Sequence, residues 1–372
     1  MIIHKMLFLY PEMIDMQCAN LRKAGSEKDS EIYRLVCDGL VNSYYVVSGT
    51  GTRSLMKSPD VVGYDSYLAM VPSTLAALEY LKSEGFRGST SILTILRGGL
   101  NYPLEECCHK AGIQVTDMSF LSCERRIEDG VITGLDIKYD KLDVAADCTL
   151  MIGDIIASGI TLRLCLQQVV DRFRLNGGSI RRIVFFTIGG TKAISLMEDF
   201  TTSIRTAWPE FEGFTCFFYE GIFTVYEDNG VTGVNIPDID FGWKGGVISP
   251  EFRSFILDDP DALFEKCIIY DGGARRYGIP EHCAEVLEYW NALESVADRT
   301  DFEKFVAEKI GYAGRPDFKT WLGINHYELL PDMEELYARE QCFLEASSHR
   351  SLKEICRKRI LEFKRTMNNY IH

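Results

Sequence analysis

The sequence predicts an α/β protein: a parallel sheet with helices on both faces, followed by a helical C-terminal extension. Between residues 72 and 218, short apolar segments alternate with amphipathic ones, a pattern typical of parallel strands joined by crossover helices. Such a parallel sheet is covered by helices on both faces. From about Pro250 onward the patterns are helical. We therefore expect an N-terminal segment (1–70) that packs on or caps a core (71–250), and a mainly helical extension (251–372).

The composition is that of a folded protein whose surface does not attract polyanions. Hydrophobic residues make up 46% of the chain and charged residues 25%, which excludes a disordered or fibrous class. The formal net charge of −14 leads us to expect no nucleic acid and no membrane as partner. No apolar stretch approaches the roughly 20 residues that span a bilayer, and no signal peptide is visible. The 12 cysteines lack a Cys-x-x-Cys spacing, so we expect reduced thiols and a cytoplasmic location.

The first half of the core is expected to alternate helices and strands. Leu75, Leu78 and Leu81 lie near one face of a helix, and Gly85 suits its carboxyl cap. An apolar run and a Gly-Gly turn follow, and then a further helix and strand. The expected elements are a helix at 72–83, a strand at 91–96, a turn at 97–99, a helix at 102–110 and a strand at 114–120.

The second half begins with a polar stretch at 122–147, which is long for a plain connection. This stretch is either a functional lid or a passive hairpin. After it, five apolar residues recur at helical spacing and mark a buried face: Leu162, Leu166, Val169, Val170 and Phe173. The expected elements are a strand at 149–152, a turn at 154–158, a helix at 162–175, a strand at 183–188, a helix at 191–208 and a strand at 214–218.

The turn after the strand at 149–152 has the chemistry of a phosphate site. Backbone N–H groups in the first turn of a helix have no internal partners, and together with the helix dipole they bind anions. Ser158 and Thr161 add hydroxyl donors, and Gly159 lets the backbone approach the anion closely. Asp154 lies just upstream, where its carboxylate can accept hydrogen bonds from sugar hydroxyls. The alternative is an ordinary strand-to-helix turn in which Ser158 caps the helix.

Residues 150–161 resemble the signature of the type I phosphoribosyltransferases, and the order of elements from about 86 to 225 is similar to that family. The resemblance implies that phosphoribosyl pyrophosphate is bound, with Asp154 on its 2- and 3-hydroxyls. The residues that it assigns to the 5-phosphate are Ala157, Ser158, Gly159, Ile160 and Thr161.

A second motif, in residues 95–100, is similar to the pyrophosphate loop of the same family. Arg97 would supply charge, and Gly98 and Gly99 would give the diphosphate access to the backbone. Taken alone, this motif also fits a plain strand exit. The stretch at 122–147 occupies the place of the family's flexible catalytic loop, which implies catalytic roles for Arg125 and Arg126. Closure of such a loop would exclude water from a reactive ribosyl cation.

The sequence departs from the family at Gly153, where many members carry the first of two adjacent acidic residues. Ala157 also replaces an acidic residue that some members carry, so we assign no general base. Mg²⁺ is implied because a diphosphate carries more charge than two arginines neutralise, and Asp154 would hold it indirectly. Residues 227–242, with Asp240 and Phe241, faintly resemble the base-binding segment of uracil phosphoribosyltransferases, although such turns are common.

The function expected from these motifs is a Mg²⁺-dependent phosphoribosyltransferase that acts on an unidentified base or other acceptor and releases diphosphate. An alternative from another class keeps the fold without turnover: a sensor or regulatory protein that binds phosphoribosyl pyrophosphate or a nucleotide. Gly153 supports that alternative. A scaffold without a ligand is a third hypothesis, which the two anion loops disfavour. A homodimer and a monomer both stay open.

Overall fold

The architecture is taken from a computed structural model. It describes residues 19–96, 98–128, 131–156, 159–225, 232–234, 241–261, 274–368 and 370. The residues Arg97, Ala157, Ser158 and Asp240, for which roles are predicted above, lie outside the described residues. Within the described ranges the chain folds into a central mixed sheet with helices on both sides and a helical C-terminal region. This confirms the α/β class.

Ten strands of the described residues form one sheet in the order β1-β2-β3-β9-β8-β7-β4-β5-β6, with β10 paired to β9. Six neighbouring strands, from β3 to β5, run parallel, while β1, β2, β6 and β10 are antiparallel to their neighbours. The expectation of a purely parallel sheet is therefore wrong at the edges, where hairpins pair adjacent strands. The strands are β1 (Asn20–Glu27), β2 (Ser30–Val36), β3 (Ser43–Gly49), β4 (Ser89–Leu96), β5 (Gln114–Glu128), β6 (Val131–Lys141), β7 (Cys148–Gly153), β8 (Ile180–Gly190), β9 (Gly213–Val225) and β10 (Phe241–Ile248).

Helices cover both faces of this sheet and form two apolar cores. One core contains buried residues of α2, α3, α8 and α12, and the other contains those of α4, α5, α10 and α11. The helices are α1 (Thr50–Lys57), α2 (Gly63–Ser83), α3 (Leu104–Lys110), α4 (Ile160–Leu175), α5 (Thr191–Ala207), α6 (Pro250–Leu257), α7 (Ala274–Tyr277), α8 (Ile279–Val296), α9 (Phe302–Ile310), α10 (Phe318–Ile324), α11 (Met333–Ser347) and α12 (Leu352–Met367). No helix of the described residues is long and apolar enough to cross a bilayer.

The helix α4 agrees with its sequence pattern: all five residues expected on its inner face are buried. The helix α2 is longer than expected, because it begins at Gly63 and continues through Pro72. A proline removes one backbone hydrogen bond and usually ends or kinks a helix. Here Ser66 and Met70 are fully buried before the proline, so packing on the sheet holds the first turns in place.

The stretch at 122–147 is largely an antiparallel hairpin. The strand β5 continues past the expected end at residue 120 as far as Glu128, and β6 pairs back along it from Glu128↔Val131 to Phe120↔Lys141. The hairpin lies against α4, and Asp140 on β6 forms an ion pair with Arg172. Of the two interpretations of this stretch, the hairpin describes its structure, and a role as a lid stays a prediction.

A buried ion pair joins two helices of the C-terminal region. Arg253 on α6 contacts Glu340 on α11, with Nη1 to Oε2 at 2.8 Å, and both side chains are nearly inaccessible. Tyr327 and Asn325 accept two further hydrogen bonds from the guanidinium group. A buried charge is tolerated only when it is paired and hydrogen-bonded, as this arginine is. The division of the chain at residues 70 and 250 stays a prediction, although β1 to β3 are part of the same sheet as the core strands.

Candidate functional site

Two loops meet at the carboxyl edge of the sheet. The strands β4 and β7 are parallel neighbours, paired for example at Ile92↔Met151, so the turns that follow them lie side by side. A Cβ built on Gly98 would lie 3.2 Å from Oδ1 of Asp154. The structure thus brings the glycine turn after β4 next to the carboxylate that follows β7. Ligands of parallel α/β sheets bind at such strand ends.

The backbone after β4 passes directly over the end of β7. A Cβ on Gly153 would lie 2.4 Å from the carbonyl oxygen of Leu100, closer than any real contact. Gly153 is therefore required here by the close approach of a second backbone segment. The acidic residue that many type I phosphoribosyltransferases carry at this position cannot fit into the observed arrangement.

Asn101 holds the two loops together. Its Oδ1 accepts a hydrogen bond from the backbone N–H of Gly153 at 2.8 Å, which also fixes the orientation of the side-chain amide. Its Nδ2 is buried and has no acceptor among the described residues. This nitrogen lies 3.1 Å from the position of a Cβ on Gly98. Sequence reasoning missed Asn101, because nothing in the pattern distinguishes it from a loop asparagine.

The first turn of α4 presents backbone amides at the same edge. Gly159 precedes the helix with φ 75°, and no side-chain cap bonds to the described part of this turn. The left-handed backbone conformation favours glycine here, and a Cβ would lie 3.0 Å from the end of the Leu196 side chain, which would have to shift slightly. The chain before the turn is anchored to β8, because Asp154 N donates to Phe186 O at 3.0 Å and Ile156 N to Ile188 O at 3.1 Å.

The β5–β6 hairpin reaches this turn through one of the two predicted catalytic arginines. Nε of Arg125 donates a hydrogen bond to Oγ1 of Thr161 at 2.8 Å. Arg126, the next residue, instead forms an ion pair with Asp136 on the opposite strand of the hairpin. The structure therefore brings Arg125 to the candidate phosphate turn, whereas the ion pair of Arg126 with Asp136 lies within the hairpin.

The remaining predicted residues have simple placements. Gly99 is buried in the turn after β4, and Ile160 begins α4 with a half-buried side chain. Phe241 begins β10, where its backbone pairs with Val225, and its side chain is not described. The assignment of base-binding roles to Asp240 and Phe241 thus stays a prediction.

Among the described residues, the candidate site has one carboxylate at this edge of the sheet, that of Asp154. Asp154 is half-buried, and its Oδ1 accepts from the backbone N–H of Ile155 at 2.9 Å. Across the described ranges, no group of three or more His, Cys, Asp or Glu side chains could hold a metal ion. A cation at this edge would therefore need most of its oxygen ligands from a bound molecule.

A separate buried carboxylate, Glu220, lies within β9 beside the end of β3. Glu220, with φ 65°, accepts hydrogen bonds from the hydroxyls of Ser48 and Thr52 and from the N–H of Gly49. Burial raises the pKa of Glu220 to about 7, and the hydrogen bonds oppose this rise. All of these partners are internal, so we interpret Glu220 as a structural link between β9 and the start of α1.

No protein-family model and no curated protein matches the chain. Its fold is similar to solved structures that include a hypoxanthine phosphoribosyltransferase from Staphylococcus aureus, at 13% identity and a TM-score of 0.26 over 40% of this chain and 72% of that one. A hypoxanthine-guanine phosphoribosyltransferase of L. donovani matches at 13% identity and a TM-score of 0.26, over 37% of this chain and 67% of that one. A protein of Aquifex aeolicus matches at 14% identity and a TM-score of 0.32, over 52% of this chain and 88% of that one. Similarity at this level does not bear on activity.

Proposed function

We propose that the chain binds phosphoribosyl pyrophosphate and transfers its ribosyl phosphate to an unidentified base or other acceptor, with release of diphosphate. The observation that carries this proposal is the position of Asp154 between two anion-suited turns. On one side is the Gly98-Gly99 turn, and on the other is the uncapped first turn of α4. A sugar that carries a phosphate at one end and a diphosphate at the other matches that order of groups.

In this proposal the 5-phosphate binds at the first turn of α4. The amides of residues 157–161 and the Thr161 hydroxyl donate to it, because such groups at a helix amino terminus favour an anion. Thr161 already accepts a hydrogen bond from Arg125, so its own O–H is available to donate. Arg125 thereby brings a permanent positive charge to the phosphate turn.

The diphosphate lies along the other turn, where half-buried Gly98 has no side chain that would separate the ligand from the backbone, and Arg97 supplies charge. Asp154 accepts hydrogen bonds from the ribose hydroxyls. Catalysis is then mainly positioning and charge stabilisation as the acceptor attacks C1 of the ribose and diphosphate leaves. A single carboxylate fits a Mg²⁺ ion that arrives with the diphosphate, because Mg²⁺ is usually held by one or two carboxylates together with substrate phosphates. Asp154 would hold it indirectly, and the bound ion would supply charge neutralisation.

One observation favours the second candidate function, a non-catalytic sensor of phosphoribosyl pyrophosphate or a nucleotide. The carbonyl oxygen of Leu100 occupies the space of a side chain at Gly153, so the second carboxylate of the family is excluded. A site with one carboxylate can still bind the ligand through its phosphates. Turnover therefore separates the two candidates, and binding supports both.

The test measures both properties with the same protein. Incubation with phosphoribosyl pyrophosphate, Mg²⁺ and a panel of nucleobases releases diphosphate if the chain is a transferase. A ligand-dependent rise in the unfolding temperature without diphosphate release indicates the sensor. If neither occurs, the proposed site is wrong.

A pair of variants ties the result to the site. Asp154→Asn is expected to lose at least about tenfold in affinity, since a charge-assisted hydrogen bond contributes roughly 1.5–3 kcal/mol. Asp171→Asn is the matched control, because Asp171 lies on the same helix as Thr161 but about 15 Å further along it. Equal ligand response in both variants would exclude Asp154 from the site.

A further inference from the structure

Two thiols lie next to the contact between Arg125 and Thr161. The sulfur of Cys123 on β5 is 3.3 Å from the sulfur of Cys165 on α4. Cys165 follows Thr161 by four residues, so the two lie on one face of the helix. Cys123 precedes Arg125 by two residues, so the two lie on one face of the strand. These two contacts between β5 and α4 therefore lie one helical turn apart.

The environment of the pair suits oxidation. Cys123 is half-buried, which allows a small oxidant to reach it, and Cys165 is fully buried behind it. The hydrogen bond from Cys165 lowers the pKa of Cys123, and the charge of Arg125 acts in the same direction, against burial and Asp154. The thiolate is the reactive form of cysteine. A disulfide requires about 2.05 Å between sulfurs, so a side-chain rotation of little more than 1 Å closes the gap.

We propose that Cys123 and Cys165 form an oxidisable dithiol, a modification site at which a peroxide produces a disulfide between the hairpin and α4. The Cys123 thiolate attacks one peroxide oxygen, the O–O bond breaks, and a sulfenic acid forms with loss of water or an alcohol. The Cys165 thiol then attacks that sulfur and a second water leaves. Both sulfurs are oxidised, the peroxide is reduced, and an added dithiol reverses the reaction.

Three other described cysteines, Cys107, Cys108 and Cys342, do not offer this chemistry. Cys107 and Cys108 are buried in α3, and burial raises their pKa to about 12. They are adjacent on the helix, so their side chains point in different directions. Cys342 is exposed on α11 and can react only with another molecule or a small reagent unless a further cysteine lies nearby. Proximity, access and a second thiol coincide at Cys123 and Cys165.

The disulfide has a direct consequence for the hairpin. It fastens β5 to the first turns of α4 and so holds Arg125 beside Thr161. Hydrogen exchange of the hairpin amides is then expected to slow by about tenfold or more, because local opening is suppressed. If the first turn of α4 binds phosphate, as the proposed function states, oxidation also keeps Arg125 in place and lowers the ligand concentration at half-saturation severalfold.

The experiment uses the full chain with Cys342→Ser, which removes an exposed thiol that could react between molecules. The protein is treated with hydrogen peroxide, and peptide mapping is combined with hydrogen exchange before and after reduction. Cys123→Ser and Cys165→Ser are the controls. The expected result is a Cys123–Cys165 disulfide, slower exchange in the hairpin, and the loss of both effects in either control and after reduction. Serine is close to cysteine in size, so the controls are expected to fold.

The outcomes separate the two proposals. If no Cys123–Cys165 disulfide forms, or if it forms and hairpin exchange is unchanged, the modification site is overturned whatever the ligand does. The same samples are titrated with phosphoribosyl pyrophosphate and Mg²⁺. Tighter binding by the oxidised protein supports the regulatory consequence, and equal or weaker binding contradicts it. If the reduced protein binds no phosphoribosyl pyrophosphate, the proposed function fails, while the disulfide and exchange results still decide the modification site.

Discussion

The carbonyl oxygen of Leu100 lies where a side chain at Gly153 would begin, 2.4 Å from a Cβ at that position. The glycine that departs from the phosphoribosyltransferase signature is thus explained by packing between two loops. The hydrogen bond from Gly153 N to Asn101 Oδ1 depends on the same approach. The absence of a carboxylate at position 153 and the close approach of the two loops are therefore consequences of one residue.

Replacing Gly153 by alanine is expected to push the 98–101 loop away from β7. The added methyl group meets backbone atoms, which cannot rotate away, so the free energy of unfolding should fall by about 2 kcal/mol or more. Denaturant unfolding of Gly153→Ala measures this. Gly134→Ala is the control, because its nearest contact is Arg126 Nη1 at 3.8 Å and it also lies in a strand. Equal stability of the two variants would show that the loop adapts freely.

The two adjacent arginines of the hairpin should differ in their effect on binding. Arg125 contacts Thr161, so Arg125→Ala is expected to weaken binding of phosphoribosyl pyrophosphate by about tenfold or more. Arg126 contacts Asp136, so Arg126→Ala should change the affinity by less than about threefold. Calorimetric titration of both variants measures the difference. A larger loss with Arg126→Ala would mean that the hairpin rearranges when the ligand binds.

The free energy of unfolding should depend on pH through Glu220. Burial raises its pKa from 4.5 to about 7 in the folded state, so the unfolded chain loses this proton first as pH rises. The folded state is therefore penalised progressively from about pH 4.5 to about pH 7, by on the order of 3 kcal/mol.

Glu220→Gln should remove this pH dependence. As pH rises from about 5 to about 8, the unfolding free energy of the wild type is then expected to fall relative to that of Glu220→Gln. Denaturant unfolding at both pH values measures it, with the exposed Glu334→Gln as control. A pH-independent difference would mean that the carboxylate is ionised throughout this range.

The sequence predicted the helices and strands in which buried apolar residues recur at a regular spacing. The apolar face of α4 is visible as five residues at helical spacing, and the parallel strands appear as continuous apolar runs, because burial on a helix face or in a sheet imposes those patterns. The turn at Gly159 was also predictable, since a left-handed residue before a helix favours glycine. Local rules were sufficient for these parts.

Contacts between distant segments could not be predicted in the same way. The pairing of Cys123 with Cys165 joins residues 42 positions apart, and the contact of Arg125 with Thr161 spans 36. Both contacts depend on how the hairpin packs on α4, and this packing cannot be predicted from a local sequence pattern. The role of Asn101 depends on the approach of its loop to Gly153, and the edge strands depend on hairpin pairing. Tertiary geometry decides these features.

The most direct test of the account is the affinity for phosphoribosyl pyrophosphate of Thr161→Val, measured by calorimetry with Mg²⁺ beside wild type and Thr206→Val. Valine keeps the shape of threonine and removes the hydroxyl, and Thr206 is an exposed helical threonine that bonds only within α5 among the described residues. The account predicts binding by wild type and Thr206→Val, and a loss of about tenfold or more for Thr161→Val. Equal affinity of all three proteins, or no binding by wild type, would contradict it.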